Sequence, residues 1–71
     1  MKDKTETLTA IGHKIQMLRE GMGLSQEKLA ERANVHRTYI GTVERGETNL
    51  TVLNLYKIAK ALNVKPSDVL V

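Results

Sequence analysis

The sequence predicts an all-α chain, a bundle of five short helices. Three observations carry that prediction. Apolar residues recur at three- and four-residue intervals in successive blocks. The blocks are bounded by residues that cap helices, with Gly or Asn closing four of them. No stretch alternates apolar and polar residues as a half-buried strand would.

The first block places Leu8, Ile11, Ile15, Leu18 and Met22 on one helical stripe and stops at Gly21-Met22-Gly23. Met17 and Met22 read as core filler. Residues 1–7, MKDKTET, are polar throughout and are expected to form a flexible N-terminal arm, leaving residues 8–71 as the folded domain. The second helix opens at Ser25, an N-cap, with Glu27 in the first turn where a negative charge suits the helix dipole. Leu24 and Leu29 occupy the two positions of a hydrophobic staple. Leu29, Ala30 and Ala33 face inward, and Glu27, Lys28, Glu31 and Arg32 face outward. Asn34 closes this helix because Asn tolerates the left-handed backbone of a C-terminal cap, with Val35 folding back over the last turn.

The third helix runs from about His36 to Arg45 and stops at Gly46. A polar loop follows, Gly46-Glu47-Thr48-Asn49. The fourth repeats the logic of the second: Leu50 and Leu55 staple across the cap Thr51. Val52, Leu55, Ile58, Ala59 and Leu62 are expected inside, and Asn63-Val64 ends the helix. Pro66 suits the first position of a short fifth helix through Leu70.

Composition sets the outer limits. A 71-residue chain holds one domain with a small core, and chains of this size often lean on a partner subunit. Aromatic residues make up 3%, Tyr39 and Tyr56 alone, so the core is aliphatic. Cysteine is absent, which removes disulfides and thiolate metal sites. With no long apolar run and no signal-like N-terminus, the chain is expected to be cytoplasmic and away from membranes. His13 and His36 are isolated, so no metal site is expected. Ser25 and Ser67 lie at helix starts without a nucleophile pattern, and no phosphate-binding glycine loop is present. The sequence therefore reads as a non-enzyme without cofactor or small-molecule ligand.

Eleven Lys and Arg against eight Asp and Glu give a net charge of +3, which permits a polyanionic partner without requiring one. Placement is more telling. Only Asn34-Val35-His36 separate the second and third helices, and so short a link forces the steep crossing of a helix-turn-helix. At about 100° per residue, Ile40 and Val43 define the inner face of the third helix. Arg37, Thr38, Gly41 and Thr42 gather on the other side, with Tyr39 at the border. Arg is the usual bidentate donor to guanine in a major groove, and Thr can bond a base edge or touch a thymine methyl. The bland alternative is a solvated face on which a helix-weakening Gly is tolerated.

The stretch QEKLAERANVHRTYIGTVER resembles the helix-turn-helix of the phage repressor and Cro-like (xenobiotic-response-element) family, and the resemblance runs from Ile11 to Leu70. It implies a lambda-repressor-like DNA-binding domain. Within that family, HRTYIGTVERGETNLT looks like the restriction–modification controller proteins, which are small homodimeric autoregulators. Carried over by position, the resemblance implies base contacts from Arg37, Thr38 and Tyr39. It implies backbone contacts from Gln26, Thr42, Arg45 and Asn49, with amides of the loop after Gly46; His36 caps or flanks the same helix and is a further candidate backbone contact. It also implies a partly buried Arg19–Glu44 pair that braces two helices, where the bland reading is an ordinary surface pair.

Leu53 projects away from the fourth helix's stripe, and Val69, Leu70 and Val71 crowd the chain end. Together they point to a two-fold interface. A dimer would set two recognition helices about 34 Å apart, facing an operator with two-fold symmetry. The reading is thus a homodimeric, sequence-specific transcription regulator acting on double-stranded DNA, a restriction–modification controller of its own operon. A phage-type repressor or the antitoxin of a toxin–antitoxin pair remains open, to be separated by gene neighbourhood. A protein-binding helical module also remains open, although its exposed face would need large apolar anchors that this one lacks.

Overall fold

A computed structural model describes residues 3–70, which form α1 (Lys4–Gly21), α2 (Gln26–Ala33), α3 (Arg37–Glu44), α4 (Val52–Ala61) and α5 (Pro66–Val69). There is no strand among the described residues. Local chemistry sets the ends. The Ser25 hydroxyl accepts from the Lys28 amide at 3.0 Å, and the Thr51 hydroxyl accepts from the Asn54 amide at 3.1 Å. Asn34 and Asn63 both take left-handed backbones, with φ of 57° and 58°. Behind each, a valine amide returns to the helix: Val35 to the Ala30 carbonyl and Val64 to the Ala59 carbonyl, both at 3.0 Å. Pro66 opens α5, and the Asp68 carboxylate accepts from the Lys65 amide at 3.0 Å.

The first helix starts earlier than its apolar stripe. Asp3 caps it, accepting from the Glu6 amide at 2.8 Å, so residues 4–7 are helical and exposed instead of forming an arm. A polar segment needs no apolar partner to be helical once a cap satisfies its first amides. Of the expected arm, Met1 and Lys2 lie outside the described residues.

Each helix sends one fully buried large side chain to a shared centre: Ile15, Leu29, Ile40, Ile58 and Val69. Helix α3 packs on both α1 and α2, α2 packs on α4, and α5 closes the far side against α4 and α1. This places α3 at one end of the bundle, clamped from two directions.

Four expectations about burial fail here. Val52 is 72% exposed because Val52 and Leu53 lie on the outward side of the first turn of α4, whose inward side is Leu55. Met17 and Met22 are exposed as well, since the inward positions of α1 belong to Gly12, Ile15 and Arg19. Val69, expected at an interface between copies, is wholly inside the core.

Gly12 and Gly46 bring backbones together. A Cβ on Gly12 would stand 2.2 Å from the Val43 carbonyl oxygen and 2.7 Å from that of Glu44, so α1 meets the last turn of α3 without a side chain between. Gly46 has φ of +73°, and a Cβ there would lie 2.7 Å from the Thr9 Cα. Gly21 differs, with open space around it and no positive φ. Gly12→Ala should therefore cost at least about 1–3 kcal/mol by forcing α1 from α3. Gly21→Ala should be neutral or add up to about 1 kcal/mol of stability. Urea denaturation of the two variants checks this; equal midpoints would contradict the close approach.

Candidate nucleic-acid interface

The link Asn34-Val35-His36 turns the chain sharply through the left-handed Asn34, and His36 then becomes the N-cap of α3 with extended backbone. Its side chain makes no capping bond. Ile40 and Val43 fix the inner face of α3 by burial. Arg37 and Thr38, in the first turn, are exposed, and Arg37 has no carboxylate partner among the described residues. The helix N-terminus thus presents a free guanidinium and a hydroxyl to solvent.

Further along, the face differs from a simple wheel. Gly41 is buried: the position of its missing Cβ lies 3.2 Å from Arg45 Nη1 and 3.8 Å from Gln26 Oε1. The bare Cα is roofed by those two side chains and is not open to a groove. Gln26, Arg37, Thr38, Gly41 and Arg45 line one shallow polar depression, which brings residues of α2 and α3 to one surface. Thr42 is half-buried, and its hydroxyl donates to the Tyr39 carbonyl at 2.8 Å. Arg45 is exposed and pairs with Glu47 at 3.0 Å. The Glu47 amide is engaged too, donating to the Thr42 carbonyl at 2.9 Å to close the helix. Asn49 is exposed in the following loop. Tyr39 is half-buried, and its hydroxyl oxygen accepts from Asn54 Nδ2 at 3.0 Å.

Beneath this surface lies a buried ion pair. Arg19 Nε donates to Glu44 Oε2 at 2.6 Å and Arg19 Nη2 to Oε1 at 3.1 Å, a bidentate fork with side chains 10% and 3% exposed. Arg19 Nη1 reaches the Leu24 carbonyl at 2.8 Å, and Gln26 Nε2 donates to Glu44 Oε1 at 3.0 Å. The hydrogen bond to Glu44 holds the Arg19 guanidinium above its ordinary, already high range, against burial acting the other way. The guanidinium stays charged at any working pH. The network joins α1, the turn after it, α2 and α3 at one carboxylate, so it is neither a surface pair nor a link between two helices alone. Gln26 as a member was not anticipated, because it lies on a different helix from Glu44 and periodicity within one helix does not report contacts between two.

Leu53, Tyr56 and Leu70 are exposed, and Leu53 and Tyr56 line an open groove with Lys57, Lys60 and Lys65. Val71 lies outside the described residues.

A model of the helix-turn-helix family matches residues 15–69. Among relatives, Control protein C.BamHI of Bacillus amyloliquefaciens is 47% identical over 60 residues, covering 83% of this chain and 74% of that protein. Control protein C.SmaI of Serratia marcescens is 49% identical over 53 residues, covering 75% of this chain and 63% of its own length. Among solved structures, the restriction-modification controller protein C.AhdI from Aeromonas hydrophila is similar with a TM-score of 0.86. The match is 40% identical and covers 87% of this chain and 94% of that one.

Removing one partner of the buried pair strands the other's charge. Glu44→Ala should cost about 3–5 kcal/mol, whereas the double change Arg19→Met with Glu44→Leu should recover most of that stability. Thermal denaturation of both variants tests the pairing; a Glu44→Ala variant as stable as the unaltered chain would refute it.

Proposed function

The chain belongs to the helix-turn-helix family, and from that premise we propose that it is a homodimeric, sequence-specific DNA-binding regulator of transcription, a controller of a restriction–modification operon that includes its own gene. The observation that carries the proposal is the exposed first turn of α3, with Arg37 unpaired and Thr38 beside it, on a helix clamped from behind by α1 and α2. The relatives named as control proteins support the operon assignment.

In this reading α3 enters a major groove and Arg37 forks onto guanine O6 and N7, while Thr38 and Tyr39 address neighbouring bases. Gln26, His36, Arg45 and Asn49 hold the sugar–phosphate strands and set the register. Thr42 joins them by rotating its hydroxyl away from the Tyr39 carbonyl, and Arg45 by leaving Glu47. The second copy docks through Leu53 and Leu70 with Val52 and Tyr56, the exposed apolar side chains of α4 and the end of α5. Two such copies would read an operator with two-fold symmetry in the bacterial cytoplasm. Binding is the activity, with no catalytic step.

Gel-shift titration against the DNA upstream of the chain's own reading frame tests the proposal. Tight binding there with strong discrimination over unrelated duplex is expected, and equal affinity for both would reduce the protein to a generic basic domain. Arg37→Ala should remove about 1–3 kcal/mol of discrimination and relax the choice at one base pair per half-site. Arg45→Ala should weaken all duplexes alike and lower the salt slope by about one.

A further inference from the structure

Helix α3 is packed on α1 and α2, yet its Tyr39 is tied to a third helix. Asn54 Nδ2 of α4 donates to the Tyr39 hydroxyl oxygen at 3.0 Å. Among the described residues, every other side-chain to side-chain hydrogen bond that joins two helices ends on the Glu44 carboxylate. The Asn54–Tyr39 bond stands apart from that node, and it ends on a group at the edge of the exposed face.

Asn54 is itself held. It lies in the first turn of α4, and its amide donates to the capping Thr51 hydroxyl at 3.1 Å. A phenol on a short helix has a long reach, and two side-chain torsions decide where its tip goes. A partner fixed on α4 selects one setting in the free chain, so less ordering remains to be done on binding. The direction of the bond matters as well. Because Asn54 supplies the proton, the Tyr39 oxygen is the acceptor and its own O–H is left to donate. The hydrogen-bond acceptors that a major-groove side chain meets on duplex DNA are phosphate oxygens and the O6, N7 and O4 atoms of the base edges.

We propose that Asn54 is a positioning residue for DNA recognition: by holding the Tyr39 phenol from α4, it presets the ring and keeps the hydroxyl proton available to an acceptor on the duplex. The inference rests on the DNA-binding reading above, and adds to it a residue of α4 that makes no contact with DNA itself.

The test uses the full chain and the duplex it enriches from a randomised pool. Asn54→Ala, Tyr39→Phe and the double variant are titrated against that duplex and an unrelated one. Asn54→Ala should weaken the enriched duplex about 3- to 10-fold, the scale of one lost hydrogen bond and one freed side chain. The unrelated duplex should change less than about twofold, and Asn54→Ala should add almost nothing once Tyr39 is Phe. In the free protein, ring relaxation by NMR should show Tyr39 more mobile in Asn54→Ala, with the denaturation midpoint nearly unmoved. An undiminished loss in the Tyr39→Phe background overturns the proposal, as does an equal loss on both duplexes. Failure of the unaltered chain to enrich any duplex overturns the DNA-binding reading and this inference with it. Enrichment without coupling between Asn54 and Tyr39 overturns this inference alone.

Discussion

A carboxylate sealed from water holds the reading end of this protein together. The Glu44 side chain is 3% exposed, and taking it out of solvent is affordable only because three N–H groups meet it, two from Arg19 and one from Gln26. Those donors come from α1 and α2, and the carboxylate ends α3. Arg19 also reaches the Leu24 carbonyl in the turn between the first two helices. Aliphatic packing at Ile15, Leu29 and Ile40 would hold these helices at many similar angles. A bidentate fork of fixed geometry with a third donor admits few, which is the specifying use of a buried charge that a hydrophobic substitute of equal volume lacks. No buried side-chain nitrogen or oxygen is left without a partner among the described residues, so the network closes.

Backbone contact finishes what the charges begin. The Val43 and Glu44 carbonyls fall where a side chain at Gly12 would be, and the loop after α3 passes Thr9 at a left-handed Gly46. Placing Gly inside α1 sacrifices helix stability of about 1 kcal/mol relative to Ala. In return the last turn of α3 lies against α1 at backbone distance, next to the carboxylate that the ion pair holds. The steric and electrostatic constraints act on the same turn. At the opposite end of α3 the hold is lighter, Ile40 in the core and the Asn54–Tyr39 hydrogen bond, and there the exposed Arg37 and Thr38 are carried on a helix whose direction is already fixed.

Much of this was legible in the sequence where a single residue type answers a single local demand. Ser25 and Thr51 announced helix starts, Asn34 and Asn63 announced left-handed ends, and the run of Ile40 and Val43 separated the two faces of α3. What stayed hidden depends on partners distant in the chain. The cap at Asp3 extends α1 through residues without any apolar pattern. Val52 and Val69 exchange roles because the pattern along one helix does not say how far its end overhangs the body. Gly12 sits among the apolar positions of α1, and a mid-helix glycine next to a buried stripe was the available clue to a close backbone approach. Gly41 was legible as an oddity of α3 but not as a floor, since the side chains that roof it come from Gln26 and Arg45. The Asn54–Tyr39 bond had no sequence signal at all.

These distant partners narrow the surface that can address DNA. The sequence credits the α2–α3 surface with six polar contributors, Gln26, Arg37, Thr38, Tyr39, Thr42 and Arg45. In the folded chain the Thr42 proton is spent on the Tyr39 carbonyl, Arg45 leans on Glu47, and Gln26 is drawn down to Glu44. Arg37 and Thr38 remain uncommitted, and Tyr39 keeps its proton through the polarity of its bond to Asn54. Bulk charge adds little to this choice, because the outward face of α2 mixes Glu27 and Glu31 with Lys28 and Arg32. Selectivity in such a protein must come from where a few donors stand, not from how many charges the surface carries. In the proposed reading each free donor would report a base only as well as its Cα is held, and the buried structure beneath so short a helix does that holding.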